Sequence, residues 1–100
     1  MAATHRYILS EEAKRDMELI FDYSLESFGY DQSVRYLSKI EIAFQSICLN
    51  PYLGRPRADV MDELRSVRQE SHIIFYVVLP DKIRIIRVLH HSRDISGLNW

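Results

Sequence analysis

The stretch RIIRVLHHSRD, residues 84–94, concentrates ionisable chemistry. Arg84, Arg87 and Arg93 supply guanidinium groups, His90 and His91 adjacent imidazoles, and Asp94 a carboxylate. An imidazole changes charge near neutral pH and serves as acid or base, and a guanidinium grips a carboxylate or phosphate with two parallel hydrogen bonds. One reading is nucleic-acid cleavage, for which His72, His90 and Arg87 would supply an acid, a base and a cation. A second is a charged surface that holds a partner, drawing in Arg65 and Arg68 upstream. A third is the solvated end of a strand. Neither a metal nor a cofactor site is expected, because His90 and His91 point to opposite faces if the strand continues through them. Cys48 reads as a small buried residue, and no motif for a serine nucleophile is present.

The elements that position these groups follow from periodicity. The segment RYIL, residues 6–9, is β-compatible. Ser10 is a suitable N-cap, with Glu11 and Glu12 at the positive end of the helix that follows. Ala13, Met17, Ile20, Ser24 and Phe28, widened by Phe21 and Leu25, predict a helix over 11–28 that ends at Gly29. Asp31 reads as the cap of a second helix over 32–49, with Val34, Leu37, Ile40, Phe44 and Ile47 as its apolar stripe and Asn50-Pro51 as its stop. So short a connection makes an antiparallel helical hairpin. Residues 50–63 read as a loop. LRSVRQ from Leu64 is a weak strand, HIIFYVVL over 72–79 a strong one, and KIRIIRVLH over 82–90 its hairpin partner across Pro80-Asp81. A two-residue turn makes paired positions sum to 161. A three-residue turn makes them sum to 162 and sets His72 opposite His90. A one-residue slip exchanges the faces.

The expected fold is therefore α+β. It has a short N-terminal strand and an antiparallel helical hairpin packed on a small, mainly antiparallel sheet of three to four strands. The 100 residues are expected to form one domain. The two central strands are apolar at nearly every position, so the face away from the helices needs a cover, from a partner or from the C-terminal tail with Ile95, Leu98 and Trp100. Net charge is −1, which gives no global nucleic-acid signal. Its distribution is uneven: residues 1–50 carry 5 Lys/Arg against 8 Asp/Glu, and residues 64–100 carry 6 against 3. A single cysteine forms no internal disulfide and suits a reducing cytoplasm. No signal peptide and no membrane span are read, the longest apolar run being far too short.

Ordered motifs then carry a resemblance. They are Phe28-Gly29, Asn50-Pro51, Gly54-Arg55-Pro56-Arg57, Arg65-Ser66, His72-x-Ile74-x-Tyr76, Ile85-x-Arg87-Val88-Leu89-His90 and Arg93-Asp94-Ile95. Together they resemble the ParE branch of the ParE/RelE toxin superfamily across nearly the whole chain. The resemblance implies a toxin of a type II toxin–antitoxin pair, neutralised by a ParD-like antitoxin that folds on binding. It further implies DNA gyrase as the target, whereas RelE-type relatives cut mRNA on the ribosome. Nuclease relatives carry an Arg where this chain has Ile73, and a Tyr where it has only His90-His91-Ser92-Arg93. These departures favour a toxin that binds and is not an enzyme, with ribosome-dependent cleavage as the alternative. Arg65, Arg68, His72, Arg84, Arg87, His90, His91, Arg93 and Trp100 are the candidate target contacts. Tyr23, Tyr30, Tyr36, Arg55, Arg57 and Arg87 are the candidate antitoxin contacts. Neither a membrane nor sequence-specific nucleic acid is expected as a partner.

Overall fold

The computed structural model describes residues 6–100, so the reading of residues 1–5 as free of a signal sequence lies outside the described residues. Ser10 starts the first helix as its spacing predicts. Its Oγ accepts the Ala13 N–H at 2.9 Å and donates to the Ile86 carbonyl at 2.7 Å, so one hydroxyl caps the helix and fastens it to a strand. Strand β1 is Arg6–Leu9 and helix α1 is Glu11–Phe28. Helix α2 is Tyr30–Leu49, beginning two residues earlier than expected. Gly29 alone joins the two helices, at φ +87° and ψ 173°, a conformation that glycine adopts without a Cβ penalty. Ser33 then donates to the Gly29 carbonyl at 2.7 Å. Asp31 is not the cap; it lies in the first turn of α2, where the helix dipole still favours its charge.

Among the described residues five strands form the sheet, in the order β1-β5-β4-β3-β2, one more than the upper expectation. The addition is β2, Arg55–Pro56, a two-residue strand inside the segment read as loop, paired with Arg65 and Ser66 of β3 (Leu64–Gln69). Tyr76 holds this segment in place. Its hydroxyl accepts the Gly54 N–H and donates to the Pro51 carbonyl, each at 2.8 Å, while Arg65 donates to the Gly54 carbonyl at 2.6 Å. A Cβ at Gly54 would meet the Tyr76 hydroxyl at 2.7 Å and the Ser66 carbonyl at 2.8 Å, so only glycine fits. β1 runs parallel to β5, and all other pairings are antiparallel.

The central hairpin, β4 (His72–Val78) and β5 (Lys82–His90), uses both registers. From Tyr76↔Ile85 to Val78↔Ile83 the pairs sum to 161, and from His72↔His90 to Phe75↔Arg87 they sum to 162. The one-residue difference is a bulge at Ile86, opposite the Phe75/Tyr76 step. Ile83 and Ile85 face the helices. Without the bulge Leu89 would continue that face; with it, Val88 joins the helix-side core and Leu89 moves to the opposite side.

Two cores result. Between helices and sheet lie Ala13, Ile20, Ile40, Phe44, Ile47, Ile74, Tyr76, Ile83, Ile85 and Val88. On the other face Leu64, Phe75 and Leu89 are covered by Val60 and Met61 and by the tail residues Ile95, Leu98 and Trp100. The tail therefore folds back, with the Trp100 ring edge-on to Phe75 at 4.9 Å and the Arg57 guanidinium 5.2 Å from the Phe75 ring centre. Six apolar assignments change. Met17, Phe21 and Leu37 are half-buried, Phe28 is 66% exposed, Leu25 40% and Val34 39%. The tip of the helical hairpin stands off from the sheet, and the space between them is a groove.

Candidate functional site

The groove has a volume of about 610 Å³. Leu19, Tyr23 and Phe28 give it an apolar wall along α1, and Tyr36 of α2 with His72 and His90 of the sheet form its polar end. Leu19 and Tyr23 are 62% and 69% exposed, an unusual arrangement for large apolar side chains that already share a concave surface.

The polar end is a chain of rings. Tyr36 Oη lies 2.6 Å from His72 Nδ1 and accepts the Ser71 N–H at 3.2 Å. The His72 and His90 rings meet edge to face at 5.4 Å, and His90 stacks on His91 at 4.6 Å. β5 ends at His90, so the condition for the opposite-face reading, a strand that continues through both histidines, is not met, and the two rings stack. Burial, followed by the neighbouring His90 and His91, pushes the His72 pKa down to about 4. A neutral His72 takes the Tyr36 O–H on Nδ1 and keeps its own proton on Nε2, an assignment made from these partners. Burial raises the Tyr36 pKa above its ordinary value. Desolvation and the charges of Arg68 and His90 lower that of His91. His90 Nδ1 accepts the Ser92 N–H at 3.2 Å. Among the described residues no group of three or more His, Cys, Asp or Glu is placed to hold a metal ion.

Beneath this row Asp16 grips Arg87. Its carboxylate takes Arg87 Nε at 2.8 Å and a terminal guanidinium nitrogen at 2.9 Å, and also the Val88 N–H at 3.0 Å. β1 ends at Leu9, so among the described residues the outer edge of β5 beyond Ile86 lacks a strand neighbour; Ser10 and Asp16 supply side-chain partners instead. The hydrogen bond to Asp16 raises the Arg87 pKa further. The Arg87 and Asp16 side chains are 14% and 7% exposed. Arg87, a candidate on both partner surfaces, is thus committed inside the fold. Asp16 was not singled out from the sequence, although an acid amid Ala13, Met17 and Ile20 on the apolar stripe was a usable signal.

The remaining candidates divide by location. Tyr23 and Tyr36 line the groove, and Tyr30 is exposed at the hairpin tip, edge-on to Phe21. Arg93 lines the groove's polar end and His91 stacks there on His90, whereas Arg68, the cross-strand partner of Ile73, and Arg84 are exposed elsewhere on β3 and β5. Arg57 is held by Asp59 and Ser66 under the tail, with a side chain only 11% exposed. Arg65 stacks over Tyr52 at 4.9 Å beside the exposed Arg55. Trp100 is half-buried in the second core. Ile73, where nuclease relatives carry Arg, also belongs to that second core and lies on the face away from the groove. The helices hold 8 Asp/Glu against 4 Lys/Arg, so the unevenness of charge along the chain becomes an acidic helical layer over a more basic sheet.

The fold is that of RelE/ParE-type toxins. It aligns with the structure described as the chromosomal ParDE toxin–antitoxin system from P. aeruginosa, with a TM-score of 0.76, 16% identity, and coverage of 88% of this chain and 97% of that one. It aligns with the toxin–antitoxin complex RelBE2 from Mycobacterium tuberculosis at a TM-score of 0.64 and 19% identity, covering 88% and 99%. The family model described as the ParE toxin of the type II toxin–antitoxin system parDE matches residues 7–95, and the chain belongs to that family. Toxin ParE1 of Mycobacterium tuberculosis H37Rv is 33% identical over 92 residues, 91% of this chain and 94% of that protein. Toxin ParE1 of Caulobacter vibrioides is 34% identical over 88 residues, 88% and 91% of the two chains.

Proposed function

We propose that this toxin acts in the cytoplasm by binding DNA gyrase, without catalysis, and that a ParD-like antitoxin neutralises it by seating an amphipathic segment in the groove. The observation that carries the non-catalytic reading is the Asp16–Arg87 pair. Beside His72 and His90 the buried cation already has a bidentate carboxylate and is not free to meet a phosphate. His72 is occupied too, through Tyr36. The apolar wall of Leu19, Tyr23 and Phe28 suits one face of a helix, and Arg93, exposed at the polar end, suits a carboxylate on the same segment. Exposed Arg68, Arg84, His91 and Arg93 are the target contacts, where charge complementarity aids encounter.

The alternative is a ribosome-dependent endoribonuclease. It is favoured by Tyr36, His72 and His90 converging at one end of a groove. Induction without antitoxin separates the two readings when gyrase supercoiling and mRNA integrity are followed together. Loss of supercoiling with intact mRNA is expected; mRNA cleavage that precedes any supercoiling defect would overturn the binding reading.

A further inference from the structure

We infer that Arg65 and Tyr52 form a docking site, apart from the groove, for a carboxylate on the surface of the toxin's protein target. This deepens the target-binding reading above and rests on it. Among the described residues four Lys or Arg side chains are half-buried: Arg57, Arg65, Lys82 and Arg87. Arg57 pairs with Asp59 at 3.1 Å, Lys82 with Asp81 at 3.5 Å and Arg87 with Asp16 at 2.8 Å. Arg65 alone of the four forms no ion pair among the described residues, and residues 1–5 contain no Asp or Glu. Its guanidinium donates to the Gly54 carbonyl at 2.6 Å and lies over the Tyr52 ring at 4.9 Å. The other N–H groups of its fork are left to meet an outside acceptor. A charge partly withdrawn from water is costly without a counterion, and a partner's carboxylate supplies one in the geometry the fork fits.

The surroundings are held rigidly. Tyr76 Oη bridges the Pro51 carbonyl and the Gly54 N–H, and the Leu53 N–H closes a turn on the Asn50 carbonyl at 2.9 Å. From this frame Tyr52 and Leu53 are displayed at 66% and 50% exposure. A fixed tyrosine beside an arginine concentrates binding energy at protein interfaces, because little side-chain freedom is left to lose. The site is separate from the groove: Arg65 lies near the opposite end of β3 from Gln69, the partner of His72, and neither Arg65 nor Tyr52 lines the groove. A protein carboxylate fits better than a phosphodiester backbone. Apolar Leu53 adjoins Tyr52, and Asp59, Asp62 and Glu63 follow in the same loop, where they disfavour a polyanion.

Growth arrest, antitoxin affinity, melting temperature and binding to purified gyrase without DNA, measured on Arg65→Met and Tyr52→Ala, test this. Arg65→Met should weaken gyrase binding about tenfold to hundredfold, the scale of a charge-assisted hydrogen bond, and reduce growth arrest. Antitoxin affinity and melting temperature should stay at the parent values. Tyr52→Ala removes an exposed ring outside both cores and should weaken gyrase binding about tenfold. Arg65→Lys keeps the charge and should recover part of the arrest. Undiminished arrest in both Arg65→Met and Tyr52→Ala would overturn the inference, as would a melting temperature that falls in step with the loss of arrest. Lost antitoxin affinity would assign the site to the antitoxin, and binding of a DNA fragment alone that Arg65→Met abolishes would assign it to nucleic acid; either overturns the inference. Parent toxin that arrests growth without binding gyrase would overturn the gyrase reading alone, and the growth-arrest measurements then decide for or against Arg65.

Discussion

His72 and His90 are a cross-strand pair with rings 5.4 Å apart, and the extra residue at Ile86 brings them together. With the upper register extended, His72 would face Leu89 and the groove would lose its second imidazole. The bulge also delivers Val88 to the core and its N–H to Asp16. One irregularity thus builds both the polar end of the groove and the anchor beneath it.

The pH dependence of stability follows from His72. Its pKa is about 4 in the folded chain, below the ordinary 6.5, so the unfolded chain binds its proton first on acidification. The stability contributed by neutral His72 is complete above about pH 6.5 and is lost as the pH falls towards about 4. Urea midpoints measured across this range should decline, and His72→Gln should flatten the decline. An unchanged slope in the variant would assign the pH dependence to other groups.

Asp16→Ala should be among the most destabilising single changes. It leaves the Arg87 charge and the Val88 N–H without a partner at a site where both side chains are nearly buried. Breaking a buried pair from one side costs about 3–5 kcal/mol. Equilibrium denaturation of the single variants and of the double variant with Arg87→Met measures it; the double variant should recover part of the loss.

Phe44 is 1% exposed and meets Tyr7 at 5.1 Å between ring centres. Phe44→Ala should cost about 3–5 kcal/mol through the cavity it opens. A melting curve like that of the parent chain would contradict its place in the core.

Trp100 is the only tryptophan, so its fluorescence reports tail docking on Phe75. Phe75→Ala should shift the emission to longer wavelength. Deleting residues 95–100 should uncover Leu64, Phe75 and Leu89, increase aggregation, and weaken growth arrest more than antitoxin affinity. Full toxicity in a folded truncation would exclude the tail from target binding.

Replacing His90 or His91 singly should reduce toxicity modestly, and removing Arg68, His91 and Arg93 together should abolish it, since a binding surface is graded. A nuclease would instead lose about 10²–10⁴ in rate with one essential imidazole. Growth arrest and mRNA cleavage measured on the same variants distinguish the outcomes.

Local signals in the chain determined most of the fold. Ser10, Glu11 and Gly29 bound the first helix, and the stripe of Ile40, Phe44 and Ile47 identified the buried side of the second. Strands β4 and β5, apolar at nearly every position, announced a sheet covered on both faces, and the apolar tail proved to be part of that cover. Each of these is a property of neighbours a few residues apart. The hairpin register was legible only as two alternatives, because periodicity cannot locate a one-residue insertion; the structure uses both, on either side of Ile86. Phe28 and Val34 kept the helical period yet lie outside the core, because period specifies a face but not where the opposing sheet stops. The pairing of Asp16 with Arg87, 71 positions apart, was likewise beyond local reading. It took tertiary structure to turn Arg87 from a free cation into an internal strut, since only packing brings α1 against the unpaired edge of β5.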